Sequence, residues 1–232
     1  MWAVQGEYDK ALADYEKVIQ LYPKEAGPLT SRGNLFLNIK EYDKAIADFT
    51  AALGLDPKSA YSYYQRGNAW RKKAEFAKAL EDITSALKLE PDNAWAMRQR
   101  GLVWYDQGDF AKAQADYEQV FKLDPDGQGY ATLAWFWATC PDAKFRNGKK
   151  ALEYALKDCA VYSRNNATEL DTRAAAHAEV GDFKAAVQWQ KQAVKLAPAF
   201  DRMMYQERLA LYEAGKPYRE LIKGKSVEKE KR

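Results

Sequence analysis

Charged side chains recur along this chain at one interval, and the interval limits what chemistry they can do. Arg32, Arg66 and Arg100 stand 34 residues apart, and Asp14, Asp48, Asp82 and Asp116 keep the same step. A guanidinium presents a planar fork of donors that a carboxylate can accept with both oxygens. Matched periods of the two predict a ladder of ion pairs, within or between copies of one unit, with the arginine stems laid over apolar surface. Arg173 follows the same rule, but Trp189 stands where its aspartate would be, so the ladder is expected to end before the last copy. Such pairs fix register; they do not turn over a substrate.

Groups that do turn over substrates are scarce. The one histidine, His177, sits among Ala174, Ala175, Ala176 and Ala178, with no cysteine or carboxylate at metal-ligand spacing. No nucleophile elbow, phosphate loop or paired metal-ligand motif occurs. The chain reads as a non-enzyme that needs no cofactor and no metal. Cys140 and Cys159 are too few for a disulfide framework. On the helices read below they stand roughly 15–20 Å apart at ~1.5 Å rise per residue, out of bonding range, and both are expected to be packing residues.

The elements that carry these residues follow from the same period. Pro23, Pro57, Pro91 and Pro125 repeat at it, as do Gly33, Gly67 and Gly101, Ala11, Ala45, Ala79 and Ala113, and the aromatics Tyr8, Tyr42, Phe76 and Phe110. A fixed period of this length means one supersecondary unit in tandem, each too small to bury its own apolar face. In the copy from Ala60 to Asn93, Tyr63, Gly67 and Trp70 recur at three- and four-residue steps, the stripe of an amphipathic helix. A second helix is expected from about Phe76 to Lys88, with Ala79, Ile83, Ala86 and Leu87 on one face. Pro91 stops it, and Asp92-Asn93 caps the next. Gly67 and Ala79 let two backbones approach closely while Phe76 and Trp70 fill the wider gaps. Each copy is therefore a helical hairpin.

This pattern resembles the tetratricopeptide repeat. The matching residues are Leu29, Gly33, Phe36, Tyr42, Ala45, Phe49, Ala52 and Pro57 in one copy. The next copies carry Tyr63, Gly67, Trp70, Phe76, Ala79, Ile83, Ala86 and Pro91, then Met97, Gly101, Trp104, Phe110, Ala113, Tyr117, Val120 and Pro125. Eight positions matched in three consecutive copies make the signal specific. Residues 1–23 read as a half repeat, its second helix only, so the chain is expected to be a piece of a longer array. Residues 24–126 hold three regular hairpins. After Pro125 the period breaks: 127–166 read as a divergent hairpin, with helices Tyr130 to Thr139 and about Lys149 to Tyr162, and Asn165-Asn166 as a turn. Residues 167–198 form a final hairpin, 199–215 a closing helix stopped by Gly215, and 216–232 a basic tail expected to be loose or mobile. The stretch from Leu133 to Asp142 and the last hairpin look like the end of many bacterial proteins of this type.

The resemblance implies an all-α solenoid, a right-handed superhelix whose first helices line a concave groove. The positions it would turn toward a ligand are Thr30, Asn34 and Asn38; Tyr61, Tyr64, Gln65, Asn68, Arg71 and Lys72; Trp95, Arg98, Gln99 and Tyr105; then Gln128, Thr132 and Trp135. Amides can bond a peptide backbone, rings can cover its apolar groups, and arginines can pair with its carboxylates. Some family members clamp a C-terminal carboxylate with lysine, asparagine and arginine. Here only Asn34 and Asn68 fit that pattern, while Thr30 and Tyr64 fill lysine slots and Gln65 and Gln99 stand where asparagine and arginine would be. A clamp of that kind is not expected.

Bulk properties narrow the partner. The net charge is +3, and the segment from Lys216 to Arg232 alone holds seven Lys/Arg against three Glu. A near-neutral body argues against nucleic acid, which usually needs a basic stripe along the fold. No apolar run approaches the ~18–20 residues of a membrane span, and Glu7, Asp9 and Lys10 interrupt any signal-like start. The expected function is non-catalytic binding of a peptide or protein segment in the groove. The alternative is a self-assembling scaffold, a homo-oligomer stacked through the open N-terminal helix.

Overall fold

Four of the hairpins join their two helices through one left-handed turn residue, and the copy at 60–89 shows how. Ser59 accepts a hydrogen bond from the Ser62 N–H at 3.2 Å and starts the helix Ala60–Lys72. Ala74 then takes a positive φ of 60°. That lets the Glu75 N–H reach back to the Trp70 carbonyl at 3.0 Å, which satisfies the open helix end. The helix Phe76–Leu89 follows. Lys40, Gly108 and Gly181 occupy the same kind of turn, with φ of 65°, 84° and 84°. Asn93 caps the next helix, its Oδ1 accepting from the Ala96 N–H at 2.9 Å.

The computed structural model describes residues 8–124, 129–162, 166–198 and 202–222, and of 158–162 only the backbone. Among the described residues there are twelve α-helices and no strand. They divide into two compact units, the division falling between Val103 and Trp104. The first unit holds α1 (Tyr8–Leu21), α2 (Ala26–Asn38), α3 (Tyr42–Leu55), α4 (Ala60–Lys72), α5 (Phe76–Leu89) and the first part of α6 (Ala94–Gln107). From α1 to α5 each helix packs on the next where contacts are described, α2 on α3, α3 on α4, α4 on α5. The second unit holds the end of α6, then α7 (Phe110–Leu123), α8 (Tyr130–Thr139), α9 (Gly148–Tyr162), α10 (Ala167–Glu179), α11 (Phe183–Leu196) and α12 (Arg202–Glu213). A 3₁₀ turn, Ala143–Phe145, joins α8 to α9. Here α8 packs on α7, α9 and α10, and α11 packs on α10 and α12.

Close approach of paired helices is set by the repeat glycines. A Cβ on Gly67 would stand 2.7 Å from Ile83 Cγ1 and 3.0 Å from the Ala79 carbonyl oxygen. Ile83, Ala79, Ala86 and Val103 are fully buried in the first unit, and Phe49 and Ala45 form the neighbouring cluster. In the second unit α8 contributes Leu133, Ala134, Phe136 and Trp137 to the interior.

The arginine–aspartate ladder runs within hairpins. Arg32 donates to both oxygens of Asp48 at 2.8 and 2.7 Å, and Arg66 to both of Asp82 at the same distances. Arg66 also donates to Thr50 Oγ1 at 3.1 Å, tying its hairpin to α3. The carboxylates are buried while the guanidiniums keep about a fifth of their surface. Losing one partner of such a pair costs about 2–3 kcal/mol, mostly from the charge left behind. At the register where the aspartate is missing, Arg173 lies over the Trp189 ring at 3.8 Å from its centroid. A cation–π contact stands there in place of the ion pair, so the arginine–aspartate ladder ends before the last hairpin while the arginine register continues.

Several expectations fall wholly or partly outside the described residues: the start of the half repeat in 1–7, Pro125 and Gln128 in 125–128, Asn165 in the second turn, the Cys159 side chain, the start of the closing helix in 199–201, and the tail in 223–232. Cys140 is a free, buried thiol at the end of α8, and burial pushes its pKa up to about 11. Within the closing helix, α12 is described from Arg202. The tail expectation is corrected for its first part. Residues 216–222 lie outside regular secondary structure but are held by specific hydrogen bonds, because the carbonyls ending α8 need donors.

Candidate functional site

In the first unit the first helices α2, α4 and α6 carry the predicted ligand-facing residues. Asn34 on α2 donates to Tyr61 Oη on α4 at 2.8 Å, and Gln65 Nε2 donates to Asn34 Oδ1 at 2.6 Å. Gln65 also reaches Tyr61 Oη at 3.3 Å. These three side chains form one polar cluster across adjacent hairpins. Asn34, Gln65 and Asn68 line a cleft of about 350 Å³ with Leu37, Asn38, Lys40, Tyr42 and Lys72.

One repeat later the same positions are Asn68, Trp95 and Gln99, and the cluster does not re-form. Trp95 replaces the tyrosine and has no hydroxyl to accept from an amide. Asn68 Oδ1 and Gln99 Oε1 are both buried with no hydrogen-bond partner among the described residues. The Trp95 ring is half exposed, at 50%. An unpaired buried carbonyl costs about 1–3 kcal/mol until a donor reaches it.

Several predicted groove residues are packed instead of open. Tyr64 keeps 8% of its surface, lies in the core cluster of its unit and meets Tyr61 edge-on at 5.2 Å. Burial raises its hydroxyl pKa. Arg71 and Gln99 are also buried, and Arg98 is half-buried. Tyr105, in the second unit, is buried against Phe110 and Phe136 at 5.2 and 6.0 Å, and burial again raises its pKa. These side chains sit one helical step off the open face and serve packing between neighbours. Thr30 bonds back to the Ala26 carbonyl at 2.9 Å, Asn38 and Lys72 are exposed, and Thr132 is half-buried.

Trp135, on α8, is covered by its own chain. Its indole Nε1 donates to Glu220 Oε2 at 2.8 Å, and the Tyr218 ring lies 6.0 Å from it, centroid to centroid. Arg208 of α12 stands over both rings, at 4.7 and 4.6 Å. Behind it, Asp171 of α10 pairs with Arg208 and accepts from Gln190 at 2.8 Å. Burial outweighs those partners and pushes the Asp171 carboxyl up to about 6. The sequence carried no sign of this arrangement, because no period links the tail to α8.

Among the described residues no group of three or more His, Cys, Asp or Glu could hold a metal ion. No helix among them is long and apolar enough to cross a membrane. His177 bonds Asp182 Oδ2 at 3.2 Å, next to the start of α11.

The fold recurs in solved structures. A chain of the APC/C hetero-tetramer Cut9–Hcn1 superposes with a TM-score of 0.75 at 14% identity, over 92% of this chain and 41% of that one. Yeast Tom70 gives 0.69 at 17% identity, over 88% and 42%. Pseudomonas aeruginosa PilF gives 0.63 at 18% identity, over 89% and 92%. The chain thus spans about two fifths of the length of the first two. No curated protein matches it. Tetratricopeptide-repeat models match residues 3–60, 60–93, 94–126 and 172–200. Those matches run unbroken over more than half of the sequence, on the hairpins, turn residues and close-packed glycines described above, and the chain belongs to the tetratricopeptide-repeat family.

Proposed function

We propose that the chain acts by binding, without turnover, and that the first-helix face of its first unit takes an extended peptide segment of a protein partner. One orphaned carbonyl oxygen carries this reading, Asn68 Oδ1, unpartnered in the lining of the cleft, together with the exposed Trp95 on the next first helix. An extended backbone offers N–H donors at regular spacing, which such amides can accept. The Trp95 ring supplies a large apolar contact at small entropic cost, as interface anchors do. Asn34, Tyr61 and Gln65 satisfy one another and hold the neighbouring wall of the cleft in place.

Selection from a displayed library of random ten-residue peptides tests this. The wild-type chain should enrich a family of sequences, and Asn68→Ala with Trp95→Ala should lower their affinity at least tenfold while the helical circular-dichroism signal stays intact. Enrichment that survives both substitutions would move the site away from this face.

A further inference from the structure

The second unit carries a segment of its own chain on the face of α8. Residues 216–222 make few bonds among themselves; their partners lie on α8, α10 and α12. The Glu220 N–H donates to the Thr139 carbonyl at 3.0 Å, and Arg219 Nη1 donates to the Ala138 carbonyl at 3.2 Å. Both carbonyls belong to the last turn of α8, where no intrahelical donor exists. The other exposed ends there are met by Arg146, which donates to the Cys140 and Pro141 carbonyls at 3.0 Å each. A helix C-terminus also favours a cation, and Arg219 adds an ion pair to Glu179 at 2.6 Å.

The side chains of the segment are read as well as its backbone. Tyr218 packs on Trp135 and under Arg208, Glu220 accepts from the Trp135 indole, and Ile222 reaches Gly108. Leu221, between the last two, is 84% exposed. Tyr218, Arg219 and Glu220 are thus docked in succession, and the segment turns outward only at Leu221. Tyr218, Arg219 and Glu220 are all half-exposed, so the segment is a strap on the surface and not part of the interior.

We infer that this face is a peptide-recognition site which the chain occupies with its own 216–222 segment, and that it accepts in trans a segment with an aromatic, a basic and an acidic residue in succession. The occupant on the page supplies the chemistry: a ring for the Trp135–Arg208 stack, a guanidinium for Glu179 and the α8 carbonyls, and a carboxylate for the indole. The covalent link gives the resident segment an effective concentration of order mM, so it competes with any incoming peptide. The site in the first unit plays no part in this inference, and either can fail alone.

The test uses the full chain and a synthetic peptide of residues 215–222. A tail variant, Tyr218→Ser with Arg219→Ser and Glu220→Ser, leaves the helices untouched and empties the face. Calorimetry should find the peptide binding this variant at least tenfold more tightly than wild type. Adding Trp135→Phe, which removes the indole donor but keeps a ring, should cost about tenfold again. Helical content and thermal midpoint are followed alongside. If the peptide binds neither chain, or binds both equally, the inference is overturned. A concentration-dependent dimer formed by wild type but not by the tail variant would make the occupant a second copy, and would also overturn it.

Discussion

Substituting Gly67→Ala gives the most direct measure of how tightly the hairpins are closed. The added Cβ would stand 2.7 Å from Ile83 Cγ1 and 3.0 Å from the Ala79 carbonyl oxygen. Neither atom can swing away: Cγ1 is one bond from the Ile83 Cβ, and the carbonyl belongs to α5. Relief to an ordinary ~3.6 Å contact needs α4 and α5 to part by roughly 0.5–1 Å, and overpacking of this kind costs about 1–3 kcal/mol. Against that stands a gain of about 1 kcal/mol, because alanine favours a helix interior over glycine. The net expectation is a loss of up to about 2 kcal/mol, the overpacking cost less the helix gain. Gly33→Ala is the internal control, since its Cβ meets only the Phe49 ring, at 2.9 to 3.2 Å, and a ring can shift by a few tenths of an ångström. That variant should be within about 1 kcal/mol of wild type. Urea unfolding followed by circular dichroism reads both. Pairing Gly67→Ala with Ile83→Ala should recover about 1 kcal/mol of coupling, because the new methyl occupies space the isoleucine vacates. A Gly67→Ala chain more stable than wild type by the whole helix gain of about 1 kcal/mol would refute the close-approach account.

Two further outcomes follow from local geometry. Ala74 holds a φ of 60°, which costs an L-residue about 1–2 kcal/mol; Ala74→Gly relieves that and gives back ~0.5–1 in unfolded-chain entropy. The urea midpoint should rise by the equivalent of about 0.5–1 kcal/mol, and an unchanged or lower midpoint would show the turn to be unstrained. His177 is the only histidine, and its burial lowers its pKa below the ordinary 6.5, against a raising effect of Asp182. The folded state then binds this proton less tightly than the unfolded chain, so its contribution to stability falls as pH drops from 6.5 through the folded midpoint. Proton NMR titration should give a midpoint under 6.5, lower still in Asp182→Asn; a midpoint at or above 6.5 would contradict the burial.

The groove residues divide by what a one-dimensional pattern can encode. Position in the repeat identifies which helix a residue lies on, and Asn34, Tyr61 and Gln65 do meet across α2 and α4. It resolves the face to no better than one helical step of 100°. Tyr64 and Arg71 fall on the packed side of α4 for that reason, as Gln99 does on α6. The Arg173–Trp189 stack was legible only as a broken period, because a ring and a carboxylate share no composition signal although both receive a guanidinium.

Period, glycine placement and capping residues are local properties, so the sequence alone determined the helices and the hairpins, and called for arginine–aspartate pairs without deciding whether they lie within or between copies. They act over at most ~34 residues, the reach of one repeat unit and its turn. The docking of 216–222 joins Glu220 to Trp135 and Thr139, across more than eighty residues with no period between them. Only the folded chain decided that contact, because the donors α8 lacks at its end can come from any segment that folding brings near.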